Sequence, residues 1–307
     1  MSESYPVVEG EVIFEAPIAG KPCKTWYKVV GNLDSPPLIA LHGGPGTGHQ
    51  YLSPLIDLYT QYNIPIVFYD QIGCGNSTHL REKMGDDSFW TFELFYQQLD
   101  NLISHLKLSE YYLLGQSWGG MLASAYAARH PKGLRKVILA SGPASVPTWQ
   151  KEANRLVSEL PPETRKTLED CVRNRDFESP EYEKAYGVFL GRHVCRLNPW
   201  PDPVQASFEN LNSDMTAYLT MQGPSEFVIT GSFKDWEGWK FGHEIEVETL
   251  LLNGKYDEMT HACIEPWFRT IPKVKWVTLE NSSHMGHFED RQRYMKLCGS
   301  FLSSTRP

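Results

Sequence analysis

The sequence predicts an α/β fold with a mostly parallel central sheet, helices on both faces, and a mainly helical cap inserted after the sixth strand. Continuous apolar segments that read as buried strands alternate with segments of helical spacing, which is typical of a parallel sheet covered on both sides. The alternation stops after Gly142, and the following stretch is richer in Pro, Trp and charged residues. We therefore divide the 307 residues into a core at 1–144, a cap domain at 145–244 and a second part of the core at 245–307.

The predicted elements follow one another in a regular order. VIFEA and TWYKVV indicate an opening antiparallel pair, and PLIAL, IPIVFYD, YYLL and KVILA indicate four further strands. Helical spacing at 92–108 and the small-residue segment WGGMLASAYAARH predict helices between them. After the cap come strands in EVETLLLNG and KVKWVTLE, and then an amphipathic helix from about Arg291 to Leu302.

Composition excludes several classes of protein. Hydrophobic residues make up 41% and charged residues 21%, as in ordinary globular proteins. A net charge of -8 without a basic stretch argues against a nucleic-acid or anionic-membrane partner. The six scattered cysteines lack metal-binding spacing, the N-terminal MSESYPVVEG lacks the features of a signal peptide, and no apolar run reaches the roughly 18 residues of a membrane span. We expect a cytoplasmic protein without a metal site, whose oligomeric state the composition leaves open.

The segment GQSWG at 115–119 fits the pattern G-x-S-x-G between an apolar strand and a helix. This context predicts an α/β-hydrolase fold in which Ser117 is the nucleophile, at a turn so sharp that only small neighbours fit. The N–H of Trp118 and the helix dipole would then face a developing oxyanion. The alternative is a chance match in an ordinary strand-turn-helix.

The turn HGGPG at 42–46 follows the apolar strand LIAL. Glycines in this position let a backbone N–H face the serine, so we predict Gly44 as the second oxyanion donor. The alternative is a plain turn, but the serine pattern downstream strengthens the functional interpretation of both segments.

A serine nucleophile of this kind needs an acid and then a histidine, in that chain order. Asp257 follows the first strand after the cap, and His284 follows the next strand. His287 competes for the same role, but His284 is nearer the strand end. Two carboxylates also stand out: Glu258 directly follows Asp257, and Glu226 lies inside the cap. On the residues alone, both glutamates are more often solvated than functional.

Together these segments resemble the proline iminopeptidase family of α/β-hydrolases over nearly the whole chain. HGGPG at 42–46 is the most characteristic stretch, and DQIGCGNS at 70–77 and GQSWGG at 115–120 also look like segments of that family. GPSEF at 223–227, GKYDEMT at 254–260 and SSHMGHFED at 282–290 are similar to the subgroup of tricorn-interacting aminopeptidases and L-amino acid amidases.

The resemblance implies a role for the two glutamates: Glu226 and Glu258 would bind the free α-amino group of the substrate. Such binding makes the enzyme an exopeptidase or amidase, because the scissile carbonyl must lie next to the chain end. Many bacterial members have D-Q-R-G-x-G-R-S where this chain has Ile72 and Asn76. This departure favours the broader subgroup over strict proline specificity.

The sequence thus predicts a serine hydrolase that releases an N-terminal amino acid, proline or another small or apolar residue, from small peptides or amino-acid amides. The reaction would pass through an acyl-enzyme and use no metal or organic cofactor. Three alternatives are an esterase, a biosynthetic hydrolase or acyl transferase acting on a specialised small molecule, and a non-catalytic binding module. Four aromatic residues of the cap are candidates for the pocket wall or, equally, for the interior of the cap: Trp200, Trp236, Trp239 and Phe227.

Overall fold

The computed structural model describes residues 5–16 and 18–304. The first four residues of the polar N-terminal segment therefore lie outside the described residues. Eight strands form one sheet. They are β1 Val7–Phe14, β2 Cys23–Val30, β3 Leu38–Leu41, β4 Ile66–Tyr69, β5 Tyr111–Gln116, β6 Leu134–Ala140, β7 Glu248–Gly254 and β8 Val274–Leu279.

The strands lie side by side in the order β1-β2-β4-β3-β5-β6-β7-β8. β1 pairs antiparallel with β2 and β2 antiparallel with β4, whereas every pair from β4 to β8 is parallel. The central strands β3 and β4 are buried at every position, while β1 is mostly exposed at the edge. The apolar runs of the sequence therefore mark strands that are covered on both faces.

Helices lie on both sides of this sheet. They are α1 Ile56–Tyr62, α2 Phe92–His105, α3 Trp118–Ala127, α4 Val146–Ser158, α5 Pro162–Asn174, α6 Pro180–His193, α7 Asp202–Ser213, α8 Thr216–Met221, α9 His261–Thr270, α10 Gly286–Glu289 and α11 Arg291–Ser303. Buried side chains of α2, α3 and α9 join one hydrophobic cluster, and those of α1 and α11 join the other. Alternate residues of the strands, such as Ile39 and Ala40, belong to opposite clusters because successive side chains point to opposite faces.

The helical insert, comprising α4 to α8, lies between β6 and β7 and confirms the predicted position after the sixth strand. The hydroxyl groups of Ser145 and Ser179 cap the first turns of α4 and α6, and each of these helices has a proline near its start. The last part of the insert packs back on the core, where Phe233 stacks on Trp118 and Trp236 stacks on Phe92. The domain limits at 145 and 244 stay a prediction.

Among residues 5–16 and 18–304, no helix is long and apolar enough to cross a membrane.

Candidate active site

Ser117 occupies a sharp turn between β5 and α3. Its backbone lies at φ 58° and ψ -124°, a conformation that a residue with a side chain rarely adopts. A Cβ on Gly115 would overlap the carbonyl oxygen of Gly119, and a Cβ on Gly119 would overlap that of Leu41. The glycines of the pattern are therefore needed because backbone segments touch here, and this contact sets the serine at the N-terminus of α3.

The glycine turn after β3 lies directly against this serine. A Cβ on Gly43 would come within 3.0 Å of the Cβ of Ser117, and Gly44 has a φ of 106°, which favours glycine. The Tyr51 hydroxyl accepts a hydrogen bond from the Gly43 N–H at 2.7 Å and donates one to Gln116 Oε1 at 2.6 Å. Gly43 is thus engaged by Tyr51, and Gly44 lines the neighbouring cavity.

The segment at 70–77 supports both turns. The Gln71 N–H donates to the His42 Nε2 at 2.9 Å, and Gln71 Nε2 donates to the His42 carbonyl at 2.9 Å. The indole Nε1 of Trp118 donates to Gln71 Oε1 at 2.8 Å. The Trp118 side chain is therefore fixed in the core, while its backbone N–H, as the first of α3, has no acceptor within the helix.

Asp257 and His284 form a buried pair at the ends of β7 and β8. His284 Nδ1 lies 2.8 Å from Asp257 Oδ1, which also accepts the Met259 N–H at 2.8 Å. A carboxylate only accepts hydrogen bonds, so Nδ1 carries the proton and Nε2 is left as the basic nitrogen. His284 and Ser117 line the same cavity.

His287, the alternative histidine, has a different environment. Its Nε2 lies 2.9 Å from the backbone carbonyl of Tyr51, and burial lowers its pKa to about 3. It is 1% exposed and is not among the cavity-lining residues that the structure describes. The geometry therefore favours His284 as the partner of Asp257.

The end of α6 holds the acid and histidine loops together. The backbone carbonyl of His193 accepts the N–H of Glu258 at 3.2 Å and that of His284 at 3.3 Å. The imidazole Nδ1 of His193 lies 2.9 Å from the Tyr256 carbonyl. The insert thus contacts both loops at this corner through its backbone.

Glu258 is a buried carboxylate inside the cavity. It is 3% exposed, and its Oε2 has no hydrogen-bond partner among the described residues. Its Oε1 lies 3.9 Å from His284 Nδ1. Burial, followed by the negative charges of Glu226 and Asp257, raises the pKa of Glu258 well above its usual range. The solvated interpretation of this residue is therefore wrong.

Glu226 reaches the same cavity from the segment after α8. Its Oε1 accepts a hydrogen bond from the Tyr218 hydroxyl at 3.0 Å, and that hydroxyl accepts one from Gln222 Nε2 at 2.6 Å. Burial raises the pKa of Glu226, while the polar groups of Tyr218 and Gln222 oppose the rise. The structure therefore brings together two carboxylates that are 32 positions apart in the sequence.

One cavity of about 660 Å³ contains these groups. It is lined by Gly44, Ser117, Glu226, Glu258 and His284, together with residues of α6 and α7. A volume of this size suits a small-molecule ligand. The arrangement combines a serine and an oriented histidine, which can attack a carbonyl carbon, with paired carboxylates, which can bind a cationic group next to that carbonyl.

Of the two alternatives for the aromatic residues of the cap, the pocket wall is the one that the structure does not show, since the described cavity lining includes none of Trp200, Trp236, Trp239 and Phe227. Trp200 packs on Phe208, Trp236 lies between Phe92 and Trp267, Trp239 is 38% exposed, and Phe227 packs in the insert against Phe189. The aromatic lining comes from other residues: Tyr51, Phe177, Tyr182, Tyr186, Phe208 and Tyr218.

Four supporting residues were missed by the sequence analysis. Tyr51 joins the glycine turn to the strand before Ser117, and no local pattern marks it. His193 acts through its backbone carbonyl, which leaves no trace in residue type. Tyr218 and Gln222 lie four residues apart on consecutive turns just before Glu226, and that spacing could have suggested a shared polar contact.

Comparison with known proteins gives a consistent result. The family model for the alpha/beta hydrolase fold matches residues 36–291. A proline iminopeptidase of Saccharolobus solfataricus is 38% identical over 277 residues, which is 90% of this chain and 87% of the relative. Two solved structures are also similar across most of the chain.

The crystal structure of VinJ is 42% identical with a TM-score of 0.91, covering 96% of this chain and 98% of that one. The crystal structure of a proline iminopeptidase from Mycobacterium smegmatis is 33% identical with a TM-score of 0.85, covering 95% and 97%.

Proposed function

Because the chain belongs to the proline iminopeptidase family of α/β-hydrolases, we propose that it is a serine aminopeptidase or amidase. It would release an N-terminal amino acid, proline or another small or apolar residue, from small peptides or amino-acid amides. The observation that carries the proposal is the buried Glu258 carboxylate, whose unpaired Oε2 lies in the cavity that Ser117 and His284 also line. A buried anion of this kind needs a cation to compensate the lost solvation.

In the proposed mechanism, the α-ammonium group of the substrate binds between Glu226 and Glu258. Ser117 Oγ attacks the adjacent carbonyl carbon while His284 Nε2 takes its proton and Asp257 holds the imidazole. The backbone N–H groups of Gly44 and Trp118 stabilise the oxyanion.

His284 then protonates the leaving amine, and the C–N bond breaks to give an ester of Ser117. Water, deprotonated by His284, attacks this ester. The bond between the acyl carbon and Ser117 Oγ breaks, the amino acid leaves, and His284 returns the proton to Oγ. The steps require no metal ion or organic cofactor.

A panel of aminoacyl-p-nitroanilides, including proline, with N-acetylated counterparts tests this proposal. The ammonium contact predicts that free-amine compounds react at least 100-fold faster in kcat/KM, because losing one partner of a buried charge pair costs about 2–5 kcal/mol. Equal rates on blocked and free compounds would refute the amine contact. Activity confined to p-nitrophenyl esters would indicate an esterase, and products formed from added amines would indicate an acyl transferase.

The proposal extends to the setting of the enzyme. We place it in the cytoplasm, acting on a small substrate without a nucleic-acid or membrane partner. The six cysteines, all free and buried, and the net charge of -8 support this setting.

A further inference from the structure

The ionisable residues that line the cavity around Ser117 are mostly acidic. Its lining includes four carboxylates, Glu178, Glu183, Glu226 and Glu258, and none of its described lining residues is a lysine or arginine. His284 is the one histidine among the described residues that line it. The lining therefore presents acidic groups to a bound substrate without a lysine or arginine to offset them.

The four carboxylates lie at two different depths. Glu258 is 3% exposed, whereas Glu178 and Glu183 are exposed where α6 begins. Asn212, on α7, is another exposed residue of the lining. The cavity thus opens near the start of α6 and α7, and the buried Glu258 lies away from this opening.

This geometry sets the direction of a bound substrate. If the ammonium group lies at Glu226 and Glu258 and the carbonyl at Ser117, the leaving group extends towards the mouth and its two carboxylates. Among the described residues, neither Glu178 nor Glu183 forms an ion pair. A carboxylate on the leaving group would therefore enter a field that no neighbouring cation of the cavity offsets.

We propose that the cavity selects aminoacyl substrates whose leaving group carries no carboxylate near the scissile bond. Amino-acid amides, aminoacylated amines and longer peptides would be the preferred class, and free dipeptides would be poor substrates. This inference rests on the proposed function, since it assumes that the amine is bound at Glu226 and Glu258.

Matched substrates test the selection. We would compare kcat/KM for X-Gly and its C-terminal amide X-Gly-NH2, where X is the best residue of the p-nitroanilide panel. The amide should be favoured roughly tenfold or more, because a carboxylate on the leaving group is repelled by the like charges of Glu178 and Glu183 at the mouth. The advantage should shrink at high salt, since the mouth is exposed.

Two variants test whether the preference comes from the carboxylates at the cavity mouth or from any acidic residue near the start of α6. The double variant Glu178→Gln/Glu183→Gln should lower the ratio of kcat/KM for X-Gly-NH2 to kcat/KM for X-Gly at least threefold. Glu181→Gln should leave it unchanged, because Glu181 is an exposed residue of the same first turn that does not line the cavity. Equal kcat/KM for X-Gly and X-Gly-NH2 in the wild type, or an unchanged preference in the double variant, would overturn the inference.

The outcome also distinguishes the two proposals. If the enzyme cleaves free-amine anilides but does not discriminate X-Gly from its amide, only the selection by charge fails. If it cleaves no free-amine compound faster than its acetylated counterpart, the proposed function itself fails.

Discussion

The turn around Ser117 and the carboxylate pair Glu226 and Glu258 line one cavity, but different forces hold them in place. The turn is set by contact between backbone segments, which leaves no room for a Cβ at Gly115 or Gly119. The Tyr218 hydroxyl donates a hydrogen bond to Glu226, whereas Glu258 is held by the protein packed around it, and burial raises both pKa values. Steric fit therefore determines the structure of the first region, and the loss of solvent around charged groups determines the properties of the second.

The two regions should therefore be sensitive to different changes. Steric contacts tolerate no added atom, whereas a buried charge tolerates changes of shape and responds to pH and to the charge of its ligand. The turn belongs to the core alone, whereas the carboxylate pair joins Glu226 of the insert to Glu258, which follows β7 in the core. Substitutions in the two regions should therefore have different signatures.

The largest expected effect is on Ser117 itself. Ser117→Ala should lower kcat by roughly 10⁴- to 10⁶-fold while the fold stays intact, because the nucleophile is lost and the backbone turn is kept. Steady-state kinetics and a thermal unfolding curve of the same preparation measure the two quantities. Turnover near the wild-type level would contradict the assignment of the nucleophile.

Next comes the steric contact beneath the serine. Gly119→Ala should destabilise the protein by about 3 kcal/mol or more, since the new Cβ meets the Leu41 carbonyl and the backbone must shift. Urea unfolding measures the change. Gly191→Ala is the matched control, because nothing lies within 4 Å of its Cβ and alanine favours a helix by up to about 1 kcal/mol. Similar stability of the two variants would show that the turn is less tightly packed than the contact indicates.

Substitutions in the carboxylate pair should change substrate selectivity more than stability. Glu226→Gln and Glu258→Gln should each lower kcat/KM by about 10²-fold on an alanyl p-nitroanilide, because a buried charge pair with the amine is lost. The control substrate is p-nitrophenyl propionate, which has the alanyl skeleton without the amine. An equal loss on both substrates would show that the glutamates do not bind the amine.

The smallest effect is a pH dependence of stability. The pKa of Glu258 is raised in the folded protein, so the unfolded chain loses this proton first as the pH rises above about 4.5. The stability contributed by the protonated form is present below that value and is lost as the pH rises towards the folded pKa. Glu258→Gln cannot ionise, so its melting temperature should exceed that of the wild type by a few degrees at pH 8, at about 2 °C per kcal/mol. A gain that is as large at pH 4 as at pH 8 would contradict the buried charge as its cause.

Most of the fold could be predicted from local patterns. The helix at 92–108 is observed as α2 at Phe92–His105, and the final helix from Arg291 to Leu302 is observed as α11 at Arg291–Ser303. Apolar spacing decides such elements because it depends only on neighbouring residues. The order of strands, with β4 between β2 and β3, depends on pairing between distant segments, and no local pattern contains it.

The sequence by itself predicted the groups proposed to act at this site: a serine between glycines, an acid and a histidine in order after later strands, and, through the family resemblance, two carboxylates. Glycine patterns are informative in a sequence because only glycine fits where two backbone segments touch. Tertiary structure alone decided that Tyr51 joins the two turns around Ser117, that the His193 carbonyl holds two loops, and that the cavity has carboxylates at both its depth and its mouth. These features depend on hydrogen bonds and electrostatic fields across space, which have no fixed spacing along the chain.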